Sequence, residues 1–389
     1  MTLTGVEGAR SELGRSLLER KHLSADWLPA FAAVPRSAFL PPVVWPFDMG
    51  TGTTVVVDQR DEPDLWSSYA NADVPIVTQW DDGTSDGHGS VPTSSASMPS
   101  VVFRMLSALK IEPGHRVLEI GTGTGWNAGL LVHRLGAENV VSIEIDPRVA
   151  DAARERLAAR QLLGAVLTRD GEDGDETGAP YDRIIATAGV RRIPPAWLRD
   201  APGGMILAPW GTHFGNEDAL VRLRVSEDGG IAEGRFLGPV EFMKLRGQRS
   251  SFAGHDAYVP NGVAGADRGT TTVTEEQLLG GGDRFAARRF AVGLMVRNCS
   301  QQVADKRDGT RPVWFYGLTD RSWACVLFQD GHAEATVWQS GSRRLWDEVA
   351  TALAWWRAAG EPGYERLGLT VTAHGQCAWL DRPADSWQL

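Results

Sequence analysis

The order of apolar and polar residues between positions 98 and 210 predicts strands and helices that follow one another in turn. Short apolar runs typical of buried strands occur at 116–120, 139–145, 165–170, 181–187 and 204–209. Helical spacing of apolar residues occurs at 98–110, 126–135, 146–162 and 194–198. Regular alternation of this kind predicts an α/β fold with a parallel sheet.

The residues before this region predict helices and a long loop. Apolar residues recur at helical spacing over 7–34, while three prolines within 39–47 argue against regular structure there. Residues 48–99 are rich in Gly, Ser, Asp and Pro and are expected to be mostly loop, with 74–80 as an ordered edge segment. A loop of this length in a compact protein is usually functional or mobile.

The residues after position 210 predict a hairpin and a second, α+β part. The hairpin is expected at 219–225 and 231–236, followed by a linker or irregular wrap over 247–290. Strands are expected at 290–296, 312–318, 323–329, 333–339, 367–373 and 376–380, with a helix at 344–359. The chain therefore divides into an N-terminal helical and loop region (1–92), a cofactor-binding domain (93–249) and a linker with an α+β accessory domain (250–389).

Composition narrows the classes of function. The net charge of −10 over 389 residues argues against a nucleic-acid-binding protein, which needs a basic face. None of the three cysteines has metal-ligand spacing, so we expect no metal and a reducing, cytoplasmic setting. The N-terminus lacks a signal-peptide pattern, and no apolar run is long enough to span a membrane. Eight of the 15 tryptophans follow residue 300, which suggests either a peptide-binding surface or an aromatic core there.

A glycine turn joins the first predicted strand of the domain to its helix. Glu119 precedes the turn, and Gly121, Gly123 and Gly125 alternate through it before Trp126 opens the helix. Glycine adopts positive φ and lets the backbone approach a ligand closely. Strand, turn and helix together predict a site for a nucleotide-like cofactor.

Three acids favour S-adenosylmethionine over a dinucleotide. The dinucleotide pattern requires glycine at the position of Trp126, and Glu119 suits the cationic amino-acid end of a ligand instead. Glu144 lies 23 residues after Gly121, where an acid binds a ribose, and Asp170 ends the third strand, where an acid accepts from an adenine amino group. The alternative for Glu144 or Asp170 is that each only caps the following helix.

The region 95–245 resembles the protein L-isoaspartyl O-methyltransferases. The resemblance is carried by Ser95-Ala-Ser-Met-Pro99, Val117-Leu-Glu-Ile-Gly-Thr-Gly-Thr-Gly125, Val141-Ser-Ile-Glu144, Asp170-Gly171, Ala179-Pro-Tyr-Asp-Arg-Ile-Ile-Ala-Thr187, Ile193-Pro-Pro195 and Pro202-Gly-Gly204. It implies a Rossmann-like class I methyltransferase sheet that binds S-adenosyl-L-methionine.

The resemblance also implies roles for individual residues. It places Ser97 beside the acceptor carboxylate, where the alternative is a helix cap ahead of Pro99. The residues implied to bind the cofactor are Glu119, Gly121, Thr122, Gly123, Glu144, Ile145, Asp170, Gly171 and Thr187.

The chain departs from the compact repair enzymes of that family in two ways. Phe242-Met-Lys-Leu-Arg246 replaces a segment that usually ends in a small hydroxyl residue, and about 140 residues follow it. Arg246 is a candidate for binding the acceptor carboxylate, with a surface arginine as the alternative.

These departures, with Val77-Thr-Gln79 and Asn127, look like the homologues encoded with ribosomally made peptides cross-linked by ATP-grasp ligases, the graspetides. That resemblance implies methylation of an L-Asp side chain in a modified precursor peptide, followed by ring closure to aspartimide. The loop 48–92 and the tryptophan-rich part are the candidates for peptide capture. The alternatives are isoaspartyl repair and a non-catalytic peptide-binding module.

Overall fold

The computed structural model describes residues 12–48, 51–85, 87–251, 253–280 and 286–389. These residues form two compact units. The first contains the described residues up to Ala188 together with Pro194–Ala208 and Arg224–Ala232, and the second contains Gly189–Ile193, Pro209–Leu223 and the described residues of Glu233–Leu389. The predicted division at residues 92 and 249 stays a prediction.

The first unit contains seven α-helices and ten strands among its described residues, and helices and strands alternate from α4 to β8. Helix α1 is described over 12–19. The other helices are α2 (Leu28–Ala33), α3 (Pro63–Ala70), α4 (Pro99–Ala108), α5 (Trp126–Leu135), α6 (Pro147–Ala158) and α7 (Pro195–Asp200). The strands are β1 (Val43–Asp48), β2 (Thr53–Thr54), β3 (Val57–Asp58), β4 (Ile76–Trp80), β5 (Pro92–Ala96), β6 (Val117–Ile120), β7 (Val140–Glu144), β8 (Ala165–Thr168), β9 (Arg183–Ala186) and β10 (Met205–Trp210).

A parallel sheet forms the core of the first unit, as the apolar runs predict. Its strand order is β10-β9-β6-β7-β8, and each neighbouring pair is parallel. The central strand β6 is buried along its whole length because helices cover both faces of such a sheet. Its carboxyl edge therefore gathers the glycine turn after β6, Glu144 at the end of β7 and Asp170 just after β8.

A second, antiparallel sheet occupies the region expected to be loop, so that expectation is wrong. Strands β2, β1, β4 and β5 follow one another in the sheet, and β3 also pairs with β1. Strand β4 confirms the ordered segment at 74–80 but lies between β1 and β5 rather than at an edge. Pro46 is accommodated within β1 because its carbonyl accepts a hydrogen bond from Val55 (3.2 Å), which requires no N–H from proline.

The second unit contains two sheets and four short to medium helices within its described residues. One sheet has the order β21-β20-β19-β12-β11, and the other has the order β14-β18-β17-β16-β15. The strands are β11 (Asp218–Val225), β12 (Ile231–Val240), β13 (Pro260–Val263), β14 (Asp267–Thr271), β15 (Cys299–Val303), β16 (Thr310–Gly317), β17 (Trp323–Gln329), β18 (Ala335–Ser340), β19 (Leu367–Thr372), β20 (Gly375–Leu380) and β21 (Ser386–Gln388). The last two residues of β11 and the first two residues of β12 belong to the first unit. The helices are α8 (His255–Tyr258), α9 (Glu275–Leu279), α10 (Ala287–Met295) and α11 (Leu345–Ala358).

The α+β character of this unit is confirmed, but two local expectations are wrong. Residues 290–296 were expected to form a strand, but 290–295 belong to helix α10, in which Phe290, Ala291 and Leu294 are buried, and Val296 follows its end. A short apolar run does not distinguish a buried strand from a buried helix. The expected linker at 247–290 contains α8, β13, β14 and α9. Among the described residues, no helix is both long and apolar enough to cross a membrane.

Candidate cofactor and acceptor site

The glycine turn has the backbone geometry that its sequence predicts. Gly121, Gly123 and Gly125 all have positive φ, at 97°, 54° and 89°. A Cβ atom at Gly121 would lie 2.9 Å from Oγ1 of Thr187, and one at Gly123 would lie 3.4 Å from the carbonyl oxygen of Ser95. The turn is therefore packed between the end of β9 on one side and β5 on the other, and it tolerates only glycine at Gly121.

Glu144 is held against the turn by backbone donors. Its Oε2 accepts from the N–H of Gly123 (2.9 Å) and its Oε1 accepts from the N–H of Asp146 (3.1 Å). Burial raises the pKa of the Glu144 carboxyl, and these two hydrogen bonds oppose that rise. Helix α6 has its own cap, because Oδ1 of Asp146 accepts from Arg148 and Val149. Glu144 is therefore more than a helix cap: it joins the turn to the end of β7, and its remaining lone pairs suit ribose hydroxyls.

Glu119 lies beneath the turn rather than open at the sheet edge, which differs from the expectation that it faces the cationic end of a ligand. The residue is fully buried. Its Oε1 accepts from Nδ2 of Asn127 (2.7 Å), and its Oε2 accepts from Oγ of Ser142 (2.6 Å). Ser142 also shares a hydrogen bond with Thr122 of the turn (2.6 Å). No sequence pattern links Glu119, Ser142 and Asn127, which lie on β6, β7 and α5. A cofactor role for Glu119 stays a prediction. In this arrangement Glu119 would act indirectly, by holding the residues that support the glycine turn.

Replacing Glu119 with glutamine is expected to remove a pH dependence of stability. Burial raises the pKa of Glu119 from 4.5 to about 7, so the folded protein retains a proton that the unfolded chain loses. The wild type therefore loses stability as the pH rises from 4.5 to about 7, by roughly 3 kcal/mol at most, whereas Glu119→Gln does not. The difference in melting temperature between the two proteins, measured from pH 5 to pH 8, tests this expectation.

The matched control for this experiment is Glu138→Gln, a change at an exposed acid. Its difference from the wild type should stay constant over the same pH range. A constant difference for Glu119→Gln as well would contradict the assigned burial of that carboxyl.

Asp170, Gly171 and Thr187 lie at the same edge of the parallel sheet. Oδ1 of Asp170 accepts from the N–H of Glu172 (2.9 Å), so the capping alternative holds for one of its two oxygens. The indole of Trp197 donates to the carbonyl of Gly171 (2.8 Å). Thr187 donates through Oγ1 to the carbonyl of Gly121, which ties the end of β9 to the turn. The glycine turn, Glu144, Asp170, Gly171 and Thr187 thus lie at one edge of the parallel sheet, and their cofactor roles stay a prediction.

Ser97 lies between β5 and α4 and is free of a capping role. The residue preceding α4 is Met98, and no side chain at that position caps the helix, so the alternative for Ser97 is wrong. The N-terminus of α4 is instead satisfied by Asp73, whose Oδ1 accepts from the N–H of Ser100 (2.8 Å). Asp73 lies 27 residues before Ser100, and no local sequence pattern predicts this hydrogen bond.

Polar side chains join the antiparallel sheet to the carboxyl edge of the parallel sheet, which is called the cofactor edge below. Nε2 of Gln79 donates to Oδ2 of Asp146 (3.3 Å), and Oε1 of Gln79 accepts from Thr93 (2.9 Å). Arg148 of α6 donates to the carbonyl of Gly83 (3.3 Å). The segment expected to capture the acceptor therefore reaches the carboxyl edge, as an ordered sheet rather than a loop.

Arg246 belongs to the second unit, where it begins a short 3-10 helix (Arg246–Gln248). The chain just before it runs beside Gly189: Gly189 donates to the carbonyl of Met243 (2.8 Å), and Leu245 donates to the carbonyl of Gly189 (2.9 Å). Lys244 is paired with the buried carboxylate of Asp218.

Two glutamines that sequence reasoning missed hold the segment after Gly189. Oε1 of Gln248 accepts from the N–H groups of Arg191 (2.7 Å) and Arg192 (2.9 Å). Gln376 of β20 accepts from Ile193 (2.8 Å) and donates to the carbonyl of Arg191 (3.1 Å). Their side-chain amides supply the partners that a neighbouring strand normally provides.

The residues at the cofactor edge fit S-adenosylmethionine. Glu144 offers carboxylate lone pairs for a ribose, and the turn leaves no side chain between backbone and ligand. Among the described residues, no group hydrogen-bonds to Oδ1 of Asn127, although that oxygen is buried. An acceptor left open beside the turn suits the cationic amino group of this cofactor.

Comparisons with known proteins identify the family that this chain matches. Residues 67–250 match the family described as protein-L-isoaspartate(D-aspartate) O-methyltransferase. The chain is 32% identical over 249 residues to protein-L-isoaspartate O-methyltransferase 2 of Polaromonas sp., covering 63% of this chain and 96% of that protein. It is 42% identical over 154 residues to the protein-L-isoaspartate O-methyltransferase of Anaeromyxobacter dehalogenans, covering 38% of this chain and 71% of that protein. A solved protein-L-isoaspartate O-methyltransferase superposes with a TM-score of 0.52 and 20% identity, covering 96% of this chain and all of that one.

Proposed function

Because the chain belongs to the protein-L-isoaspartate O-methyltransferase family, we propose that it methylates the side chain of an ordinary L-Asp in a ribosomally made, cross-linked peptide of the graspetide kind. The methyl ester then closes to an aspartimide. The protein is an S-adenosylmethionine-dependent carboxyl O-methyltransferase, as its family membership establishes. The proposal concerns the acceptor and the product.

The residue composition of segment 242–246, which departs from the repair enzymes, supports this proposal. Within the second unit, Met243 and Leu245 are hydrogen-bonded to Gly189. Arg246 stands where the repair enzymes usually carry a small hydroxyl residue, and a guanidinium can pair with a carboxylate through two parallel hydrogen bonds.

The chemistry required of the protein is mainly positioning. S-adenosylmethionine, when bound, supplies a methyl group already activated on a sulfonium. Glu144, Asp170 and the glycine turn would hold it, while Ser97 would donate a hydrogen bond that orients the acceptor carboxylate. The methyl group would pass to one oxygen of that carboxylate, with S-adenosylhomocysteine as the by-product. Alignment of the reacting atoms and exclusion of water supply most of the rate.

Ring closure follows from the ester. The backbone nitrogen of the residue after Asp attacks the ester carbonyl carbon, loses its proton, and methanol leaves. The attack is intramolecular and forms a five-membered ring, so a high effective molarity favours it. The net change in the peptide is therefore the loss of one water.

Repair of L-isoaspartyl residues is the second candidate. The Ser95–Pro99 element and the cofactor edge, which the repair enzymes share, support it equally well. A non-catalytic peptide-binding module is a weaker alternative, since the glycine turn, Glu144 and Asp170 lie together at one edge of the parallel sheet. We place the reaction in the cytoplasm, a proposal that the three free cysteines support. The three-part division at residues 92 and 249 is likewise part of this proposal, with the last part contributing to peptide capture.

The mass of a candidate peptide tests the proposal directly. A cross-linked, Asp-containing peptide incubated with enzyme and S-adenosylmethionine is expected to gain one methylene and then to fall to one water below its starting mass, because ester and imide form in sequence. Liquid chromatography with mass spectrometry follows both species. The matched control is the same peptide with Asn in place of the modified Asp, which should remain unchanged.

A linear isoaspartyl peptide separates the two candidates. Robust methylation of that peptide, with no change in the cross-linked one, would overturn the proposal in favour of repair. No binding of S-adenosylmethionine in calorimetry would favour the non-catalytic module.

A further inference from the structure

Arg36 is a buried cation that contacts both Trp126, which follows the glycine turn, and the backbone that precedes Ser97. It is 5% exposed and begins a 3-10 helix, Arg36–Phe39, in the first unit. It lies outside the residues matched by the family description, 67–250. Burying a guanidinium is costly unless its donors are satisfied, so its surroundings need an explanation.

The guanidinium hydrogen-bonds three backbone carbonyls on the antiparallel sheet and its connections. Its NH2 group donates to the carbonyls of Val74 (2.9 Å) and Ala96 (2.9 Å), and its NH1 group donates to the carbonyl of Ala72 (3.3 Å). The carbonyl of Ala96 belongs to the peptide bond that precedes Ser97. Arg36 therefore fixes the backbone at the residue expected to contact the acceptor.

The same guanidinium lies against the helix that follows the glycine turn. Its central carbon is 5.8 Å from the centre of the Trp126 ring, within the range of a cation–π contact. The indole of Trp126 donates to the carbonyl of Val34 (3.1 Å), two residues before Arg36. Trp126 directly follows Gly125, so a shift of the turn reaches the guanidinium through one side chain.

Asp73 completes the arrangement. Its carboxylate is close enough to oppose, through its charge, the lowering of the pKa of Arg36, and its Oδ1 accepts from the N–H of Ser100 at the start of α4. Arg36 and Asp73 thus fix the backbone on both sides of Ser97. Burial lowers the pKa of Arg36 to about 9, so the side chain remains protonated at neutral pH.

We propose that Arg36 is a positioning residue that couples the glycine turn, through Trp126, to the backbone around Ser97. Cofactor on the turn would then favour the arrangement of Ser97 that receives the acceptor. The inference requires the carboxyl methyltransferase activity of the family and holds for either acceptor considered above.

The test compares Arg36→Lys with the same change at Arg134. Arg134 is also a largely buried arginine over a tryptophan, 4.5 Å from the Trp27 ring; it donates to the carbonyls of Asp26 and Ile111 and, in addition, pairs with the carboxylate of Asp26 (2.7 Å). Both substitutions keep the charge and remove the planar fork of donors. A loss of packing alone would therefore affect the two variants alike.

Two measurements distinguish the proposed coupling from a general loss of packing. Arg36→Lys is expected to lower kcat/KM at least tenfold for whichever acceptor the wild type methylates, mostly through kcat, while Arg134→Lys changes it less than twofold at an equal loss in melting temperature. Hydrogen exchange at the amides of 97–102 is expected to slow when S-adenosylhomocysteine is added to the wild type and to Arg134→Lys, and not in Arg36→Lys.

An unchanged kcat/KM in Arg36→Lys, or the same ligand-induced protection as in the wild type, would overturn the coupling. The exchange measurement requires no acceptor. It therefore distinguishes a failure of this inference from a failure of the proposed choice of peptide.

Discussion

Replacing Glu144 with alanine is expected to weaken S-adenosylmethionine binding by about ten- to a hundredfold, because a hydrogen bond to a charged group contributes roughly 1.5–3 kcal/mol. The change also leaves the N–H groups of Gly123 and Asp146 without the carboxylate that now accepts from them. The turn should then lose its fixed position as well as its ribose acceptor. Isothermal titration calorimetry with S-adenosylmethionine measures the effect.

Two variants make this result specific. Glu144→Gln keeps one acceptor oxygen and should fall between alanine and the wild type. Glu155→Ala removes an exposed acid from the neighbouring helix α6 and should bind the cofactor as the wild type does. Wild-type affinity in Glu144→Ala would mean that the cofactor binds elsewhere.

Gly121→Ala is expected to abolish measurable cofactor binding and to destabilise the fold. The φ of 97° is strained for alanine, at a cost of about 1–3 kcal/mol. The new methyl group would also lie 2.9 Å from Oγ1 of Thr187. The backbone must shift to relieve that contact, and the shift moves the N–H groups of the turn. Calorimetry and the melting temperature report the two losses.

Gly114→Ala is a control that introduces the backbone strain of a positive φ without a steric contact. Gly114 also has a positive φ, at 87°, but a Cβ atom there meets nothing within 4 Å. Its variant should lose some stability and keep full cofactor affinity. Adding Thr187→Ala to Gly121→Ala should restore part of the binding, and an absence of any restoration would refute the assigned clash.

Residue pattern alone predicts the parallel sheet because each of its strands is a short, mostly apolar run, and most of these runs adjoin a helical pattern. It fails for the antiparallel sheet, whose strands are short and rich in Thr, Ser and Pro. Strand β5, Pro92–Ala96, has no apolar side chain longer than alanine or proline, and it is a strand because β4 pairs with it. Tertiary pairing of this kind outweighs local preference.

The residues of the candidate site also differ in whether the sequence alone predicts them. Gly121, Gly123, Glu144 and Asp170 could be identified because turns and strand ends have local signatures. Arg36 and the partners of Glu119 could not, since each contact joins residues that are distant in sequence or carry no pattern. Asn127 lies only eight residues after Glu119, yet their contact depends on how α5 packs against β6.

The pairing of β19 with β12 has a consequence for truncation of this chain. The order β21-β20-β19-β12-β11 places the ten-residue strand β12 inside a sheet, and Arg235 of β12 donates to the carbonyls of Glu365, Arg366 and Asp381. Deleting the C-terminal residues would turn β12 into a long unpaired edge, which is a template for aggregation. A shortened protein that ends before β19 is therefore expected to aggregate, because β19 covers that edge.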